Sequence, residues 1–178
     1  TPCGCPLGQE ASLRFACRPD TRSSALDVKM PLDLNDTLWM PIAEKCQPLD
    51  DLLKAQGVGL IKRKLVNKMA GGAVLNMKQT ADTLTITSEG LKTRVDTIGL
   101  NWSGHKKDGE LGPEEWNVRF EDDGNKLICE IKLIGKGTRT VSRWLENEKE
   151  LVTVLEWVGN DGQKASAKRH FKKVKRSA

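Results

Sequence analysis

The sequence predicts an all-β fold of antiparallel strands, and two observations indicate it. From residue 74 onward, short segments alternate polar and apolar side chains, as in the β-branched run Thr-Leu-Thr-Ile-Thr at residues 83–87. Turn-forming tetrapeptides separate these segments, for example Asp-Asp-Gly-Asn at 122–125 and Gly-Asn-Asp-Gly at 159–162. No glycine-rich dinucleotide motif and no regular alternation of strands with helices is present. The pattern favours an antiparallel meander, arranged as a barrel or as a sandwich.

The strands predicted from this alternation continue to the end of the chain. They cover residues 126–133, 138–145, 150–158 and 164–174, and an earlier strand covers residues 38–45. Because each strand is followed by a short polar turn, we expect neighbours in sequence to pair as hairpins.

Two helical segments lie between the first strand and the others. Residues 48–57 begin near a proline, carry two aspartates in the first turn and end with glycine, which are typical helix boundary signals. Leu49, Leu52 and Leu53 lie at the spacing that gives a helix one apolar face. Residues 60–66 are predicted as a second short helix, with three consecutive basic residues.

Length and composition restrict the class of protein. The 178 residues, 38% of them hydrophobic, suffice for one domain with a buried core. The 29 basic and 24 acidic residues give a net charge of +5, which permits nucleic-acid binding without requiring it. The apolar runs are far shorter than the ~20 residues of a membrane-spanning helix. Residues 1–29 lack apolar periodicity, so we expect a disordered or expression-derived leader followed by one domain at residues 30–178.

The sequence shows no catalytic or metal-binding constellation. Cys3 and Cys5 are close together, but no histidine or second cysteine pair lies near them, so we expect no metal site. No serine or cysteine lies at a spacing from His105 or His170 that is typical of a catalytic pair, so the sequence does not indicate nucleophilic catalysis. We therefore expect a protein that is not an enzyme and that uses no cofactor apart from a bound ligand.

Residues 30–64 carry the most specific pattern. Met-Pro-Leu-Asp-Leu begins at Met30 and is followed by Trp39, and Asp-Asp-Leu-Leu-Lys-Ala-Gln-Gly-Val-Gly-Leu-Ile-Lys-Arg-Lys covers residues 50–64. Together they resemble the intracellular lipid-binding proteins, which are the fatty-acid-binding proteins and the cellular retinol- and retinoic-acid-binding proteins. The resemblance covers roughly residues 30–174. It implies a ten-strand, partly open antiparallel β-barrel, capped by a two-helix lid and enclosing one lipid.

Two arginines share strand faces with apolar side chains. Arg169 alternates with Ala167 and Phe171, and Arg143 follows Val141 at the same spacing. If these faces point into the barrel, the two arginines point inward as well. An arginine stays protonated in proteins, so its positive charge would be buried with it. A carboxylate accepts two hydrogen bonds from a guanidinium fork. The pattern therefore predicts an anionic amphiphile with its head group on Arg143 and Arg169.

The apolar side chains expected to line the ligand cavity belong to the last three strands and are Val141, Val152, Val154, Ala167 and Phe171. The family's carboxylate-binding arginines fall on Arg143 and Arg169, and Phe171 stands where many members carry tyrosine. The residues alone leave open a surface role, with Arg143 paired to Glu130. Arg139 shares the face of Arg143, but its place at the start of the strand predicts exposure to solvent.

Basic residues occur on the predicted lid at Lys54, Arg63 and Lys64. Such residues suit transient contact with anionic membranes, and in some family members basic residues at these positions form a nuclear-import signal. The simpler alternative is that they are solvated residues without a further role. Binding of nucleic acid is disfavoured, because aromatic residues make up 4% of the chain and tyrosine is missing.

These observations predict a monomeric carrier that binds and delivers a long-chain carboxylic lipid, either a fatty acid or retinoic acid. We expect it in the cytoplasm, with nuclear import as a further possibility. A retinol-type retinoid carrier is one alternative, although Arg143 favours an acid over an alcohol because retinol-type carriers have a neutral polar residue there. The other is a ligand-free barrel that serves as a protein- or nucleic-acid-interaction module.

Overall fold

The computed structural model describes residues 32–90 and 93–175. The strands are β1 (Thr37–Pro41), β2 (Val74–Gln79), β3 (Thr83–Glu89), β4 (Arg94–Gly99), β5 (His105–Gly109), β6 (Gly112–Glu121), β7 (Lys126–Leu133), β8 (Gly137–Asn147), β9 (Glu150–Gly159) and β10 (Lys164–Val174). The helices are α1 (Asp50–Ala55) and α2 (Leu60–Gly72), preceded by a 3-10 turn, Ala43–Lys45. The predicted leader at residues 1–29 lies outside the described residues.

All ten strands pair in one antiparallel sheet, in the order β4-β3-β2-β1-β10-β9-β8-β7-β6-β5. Neighbours in the sheet are neighbours in sequence, except for β1 and β10. Their pairing joins the two halves of the chain, and β4 and β5 become the edges of the curled sheet. The structure confirms the predicted all-β fold, a partly open antiparallel barrel with a two-helix lid.

One face of the sheet holds the hydrophobic core. Trp39, Leu127 and Ile131 are each at most 2% exposed. Because strand side chains alternate between the two faces, every second residue of β7 to β10 lies on this inner face. The buried indole of Trp39 donates to the hydroxyl of Thr37 at 2.7 Å, and this hydroxyl donates to the carbonyl of Leu34 at 2.8 Å. The polar atoms around Trp39 are thus satisfied within the core.

The lid consists of α1 and α2, which contact each other through side chains. Helix α1 packs on β9 and β10 and buries Leu52 in the core. Arg63 of α2 lies 3.0 Å from the carboxylate of Asp50. The side chain of Asn67 accepts a hydrogen bond from the main-chain N–H of Leu49 at 2.8 Å. These contacts hold the two helices together at the barrel.

Helix α2 extends beyond the predicted end at residue 66, because Lys68, Met69 and Ala70 are good helix formers. None of its residues is buried, and its apolar residues Leu60, Ile61 and Leu65 are exposed. No helix among the described residues is both long enough and apolar enough to cross a membrane.

The open seam of the barrel lies between β4 and β5. An ion pair spans it, since Nη1 of Arg94 in β4 is 3.3 Å from the carboxylate of Glu110 in the β5–β6 turn. The ring of Trp102 lies directly against Gly99 and leaves no room for a Cβ there. It also packs against the Trp116 ring in an edge-to-face arrangement, with centroids 5.9 Å apart. Aromatic packing therefore fills the part of the seam where no strand pairing occurs.

Candidate ligand-binding site

The two predicted arginines lie in one cross-strand row on the inner face. Arg143 of β8 is opposite Thr153 of β9, and Thr153 is opposite Arg169 of β10. Directly opposite residues of antiparallel strands point to the same side of the sheet. Leu127 of β7 continues the row and is buried in the core. We call Arg143, Thr153 and Arg169 the head-group row, and it faces the barrel interior.

Arg169 is 7% exposed and has few partners for its charge. Its Nη2 donates to the main-chain carbonyl of Ala70 in α2 at 2.7 Å, and its guanidinium carbon lies 5.8 Å from the centre of the Phe171 ring. Its Nε atom is buried without a hydrogen-bond partner in the described part of the chain. Leaving such a donor unsatisfied is costly, so this nitrogen favours binding of an acceptor.

A pocket of about 360 Å³ lies beside Arg169, between the lid and the barrel. Its other lining residues are Ala43, Cys46, Gln47, Pro48, Asn67 and Gly71. The pocket therefore lies where the lid meets the strand that carries Arg169.

Arg143 is half-buried, and its neighbour on the inner face is the thiol of Cys129. Burial raises the pKa of Cys129, and the nearby Arg143 opposes this increase. The alternative of a surface pair between Arg143 and Glu130 is wrong. Glu130 lies opposite Thr140 on the outer face, where its carboxylate is 3.8 Å from Arg119.

Thr153 is the member of the head-group row that the sequence analysis missed. It is 6% exposed, and its hydroxyl has no partner among the described residues. The signal was its spacing of two residues from both Leu151 and Leu155, which belong to or pack against the core. The Thr153 hydroxyl supplies a hydrogen-bond donor on the inner face. Phe171 has no hydroxyl and supplies none.

Of the predicted cavity residues, three belong to the core on the inner face, namely Val141, Ala167 and Phe171. The prediction for Val152 and Val154 is wrong, because the register places both on the outer face. Val152 is opposite Trp144, and Val154 is opposite Lys168. Strand β9 is apolar on both faces, so its alternation did not indicate which face points inward.

Arg139 was expected at the surface but lies on the inner face, which corrects that prediction. Strand β8 begins at Gly137, so Arg139 lies within the pairing and opposite two buried residues, Ile131 and Trp157. Burial lowers the pKa of Arg139, and the carboxylate of Glu114, 3.6 Å from Nη2, opposes this decrease. The barrel therefore holds a third arginine.

The three predicted lid cations differ in their surroundings. Lys54 and Lys64 are exposed. Arg63 is not a free surface cation, because its side chain is 15% exposed, pairs with Asp50 and donates to the main-chain carbonyl of Val58 at 3.3 Å. Arg63 therefore joins α2 to α1, and its contact with a membrane or an import partner stays a prediction.

An outer-face ion-pair cluster connects the 3-10 turn to the barrel. Nζ of Lys45 lies 2.9 and 3.0 Å from the two carboxylate oxygens of Glu150, and Nδ1 of His170 lies 2.7 Å from the same carboxylate. Hydrogen bonds from Lys45 and then His170 lower the pKa of Glu150. One possible metal-ligand atom from each of Glu146, Glu150 and His170 lies within 4.8 Å of the other two. Because Lys45 already neutralises Glu150, the contacts describe an ion-pair network.

The chain was compared with protein families and with known proteins. No family model matches it. Mouse cellular retinoic acid-binding protein 2 is 33% identical over 116 residues, which are 62% of this chain and 82% of the mouse protein. The chain belongs to the intracellular lipid-binding protein family. The human protein of the same name is 31% identical over the same length, with the same coverage.

Solved structures of lipid-binding proteins share this fold. The fatty acid-binding protein of Drosophila melanogaster brain is 25% identical with a TM-score of 0.62, over 79% of this chain and 99% of that protein. The REP1-NXSQ fatty acid transporter has the same TM-score at 20% identity, over 79% of this chain and 96% of the transporter. Because members of the intracellular lipid-binding protein family are carriers, the prediction that the chain is not an enzyme is confirmed.

Proposed function

We propose that this protein binds a long-chain carboxylic lipid, a fatty acid or retinoic acid, inside the barrel and delivers it without covalent chemistry. The names of its relatives support this ligand class, since they include a cellular retinoic acid-binding protein and a fatty acid-binding protein. The observation that carries the proposal is the head-group row, in which a threonine hydroxyl without a partner among the described residues lies between two arginines on the inner face.

The chemistry of this row suits a carboxylate. Arginine is a donor only and remains charged, and the Thr153 hydroxyl donates one further hydrogen bond. A carboxylate accepts from all these groups and neutralises positive charge that is otherwise costly to bury. The level next to the row carries Cys129, Val141, Leu155 and Ala167, which offer apolar contacts to a hydrocarbon chain at about 25 cal/mol per Å².

The lid provides a surface for transfer of the lipid to membranes. Leu60, Ile61 and Leu65 are exposed on α2, with exposed Lys64 on the same helix and Lys54 on α1. Apolar side chains that enter a bilayer, combined with cations that attract anionic head groups, are typical of transient interfacial contact. We therefore expect cargo exchange to be faster with anionic vesicles than with neutral ones.

We expect the carrier to be a monomer in the cytoplasm. Nuclear import through Lys54, Arg63 and Lys64 needs all three cations at the lid surface. The pairing of Arg63 with Asp50 disfavours such a signal.

The test is isothermal titration of wild type and Arg169→Ala with oleate and with oleyl alcohol. We expect the variant to lose at least ~1–3 kcal/mol of binding free energy for oleate and almost none for the alcohol. Lys172→Ala is the matched control, because Lys172 lies on the same strand but is exposed. Equal losses for both ligands would refute the head-group role. Native mass spectrometry of protein purified from cells identifies any lipid that co-purifies.

A further inference from the structure

The inner face carries a second pair of polar side chains that the head-group row does not explain. Arg139 of β8 and Trp157 of β9 are directly opposite each other. Nε of Arg139 and Nε1 of Trp157 are both inaccessible to solvent, and neither has a hydrogen-bond partner among the described residues. Trp157 as a whole is 2% exposed.

These two nitrogens cannot satisfy each other. The guanidinium of arginine and the indole of tryptophan are hydrogen-bond donors only. A buried donor without an acceptor is costly to the folded state. Each of the two nitrogens therefore favours an oxygen atom that accepts a hydrogen bond from it.

The carboxylate of Glu114 does not supply an acceptor for these two nitrogens. Oε1 of Glu114 lies 3.6 Å from Nη2 of Arg139, which is longer than a good charge-assisted hydrogen bond. Oε2 of the same carboxylate accepts from the indole of Trp116 at 2.9 Å. Glu114 thus balances the charge of Arg139 and leaves both partnerless donors without an acceptor. We call Arg139, Trp157 and Glu114 the floor subsite.

The floor subsite lies at a different level of the barrel from the head-group row. Arg139 precedes Arg143 by four residues on one strand, a separation of about 13 Å between Cα atoms. Between them on the same face is the apolar level that contains Val141 and Leu155. The inner face therefore has a polar level, an apolar level and a second polar level in succession.

We propose that the floor subsite binds a hydroxyl group at the far end of the cargo, so that the preferred ligand is a carboxylic lipid with a terminal hydroxyl. The hydroxyl oxygen accepts from Arg139 and Trp157, and its proton is donated to the Glu114 carboxylate. A second carboxylate suits the site less well, because it has no proton to donate and is repelled by Glu114. This inference rests on the proposed binding of the acid at the head-group row.

The experiment measures binding of dodecanoate, tetradecanoate and hexadecanoate, each with a terminal methyl, hydroxyl or carboxylate group. At the chain length that spans both levels, we expect the hydroxy acid to bind about tenfold more tightly than the methyl acid. Trp157→Phe removes the indole donor and should abolish this preference. Trp144→Phe is the matched control, because Trp144 lies opposite Val152 on the outer face.

A spectroscopic measurement keeps the inference testable if Trp157→Phe does not fold. In protein labelled with ¹⁵N at tryptophan, the Trp157 indole signal should move on addition of the hydroxy acid and much less with the methyl acid. Arg139→Gln should reduce the same preference. If methyl and hydroxy acids bind equally at every length, the floor donors are merely hydrated and the subsite is refuted, while the head-group proposal stands. If no acid binds, both proposals fail.

Discussion

Nη2 of Arg169 donates to the main-chain carbonyl of Ala70 at 2.7 Å, so the last strand of the barrel is tied to the second helix of the lid. The same guanidinium belongs to the head-group row, opposite Thr153. One side chain therefore contacts the lid and faces the region where we propose that the lipid carboxylate binds. The Ala70 carbonyl is bound by Nη2, whereas the Nε of the same guanidinium has no partner among the described residues, so the proposed ligand site lies next to the lid contact.

The first prediction concerns this lid contact. Arg169→Met keeps an unbranched side chain but removes a charged hydrogen bond, which is worth about 1.5–3 kcal/mol. Helix α2 buries no residue, so this contact is an important anchor for it. Loss of this energy makes local opening of the helix easier. We therefore expect amide hydrogen exchange in residues 60–72 to become at least tenfold faster. Lys172→Met is the control, and equal exchange in wild type and Arg169→Met contradicts the anchoring role.

The second prediction separates stability from binding at Thr153. Thr153→Val removes a buried hydroxyl that has no partner in the part of the chain that the structure describes, so the free energy of unfolding should stay the same or increase. Affinity for a fatty acid should fall by about 0.5–1.5 kcal/mol, since the carboxylate loses one donor. Urea unfolding and titration with oleate measure the two quantities. Thr140→Val, on the outer face, should leave oleate affinity unchanged, and an unaltered affinity in Thr153→Val would remove Thr153 from the site.

The third prediction concerns the Glu114–Arg139 pair. Glu114 is 6% exposed, so Glu114→Gln leaves Arg139 without its counter-charge inside the barrel. We expect a loss of at least about 2 kcal/mol in the free energy of unfolding. The double variant Glu114→Gln with Arg139→Met should recover part of this loss, because the uncompensated charge is gone. Urea unfolding measures both, and additive losses in the double variant contradict a direct pairing.

The fourth prediction is a pH dependence of stability that arises from Glu150. Hydrogen bonds from Lys45 and His170 lower its pKa in the folded protein below the ordinary value of 4.5. A depressed folded pKa contributes stability above pH 4.5, and this is lost as the pH falls through the lowered pKa. Glu150→Gln should therefore flatten the decrease in thermal midpoint below pH 4.5. Glu148→Gln, in the adjacent turn, should follow the wild-type curve, and parallel curves for all three proteins count against this role.

Local sequence signals predicted much of the fold. Strands β7 and β10 have the same bounds as the alternation predicted, because polar and apolar residues alternate along both with the exceptions of Ile128 and Arg169. Helix α2 was predicted too short, since three good helix formers after residue 66 continue it to Gly72. Strand β9 has apolar side chains on both faces, and there the alternation led to the wrong cavity residues, Val152 and Val154.

The candidate site was predicted in part. Arg143 and Arg169 alternate with apolar residues, so their inward direction was readable. Thr153 and Arg139 share strand faces with apolar residues, but β9 is apolar on both faces and Arg139 lies near the start of its strand, so their inward direction was settled only by the residues opposite them on neighbouring strands. Those neighbours are distant in sequence, and the register that pairs them is a property of the whole sheet.

By itself the sequence determined antiparallel strands, two helical segments after the first strand, and arginines on apolar strand faces. These follow from residue type and spacing along short segments, which act locally. The barrel and its lid were implied by the likeness to lipid-binding proteins. The tertiary structure alone decided that Thr153 lies between Arg143 and Arg169, that Arg139 and Trp157 are opposite each other on the inner face, and that Arg169 contacts the lid. Each of these depends on strand register or helix packing, which brings residues together only when the entire sheet has closed.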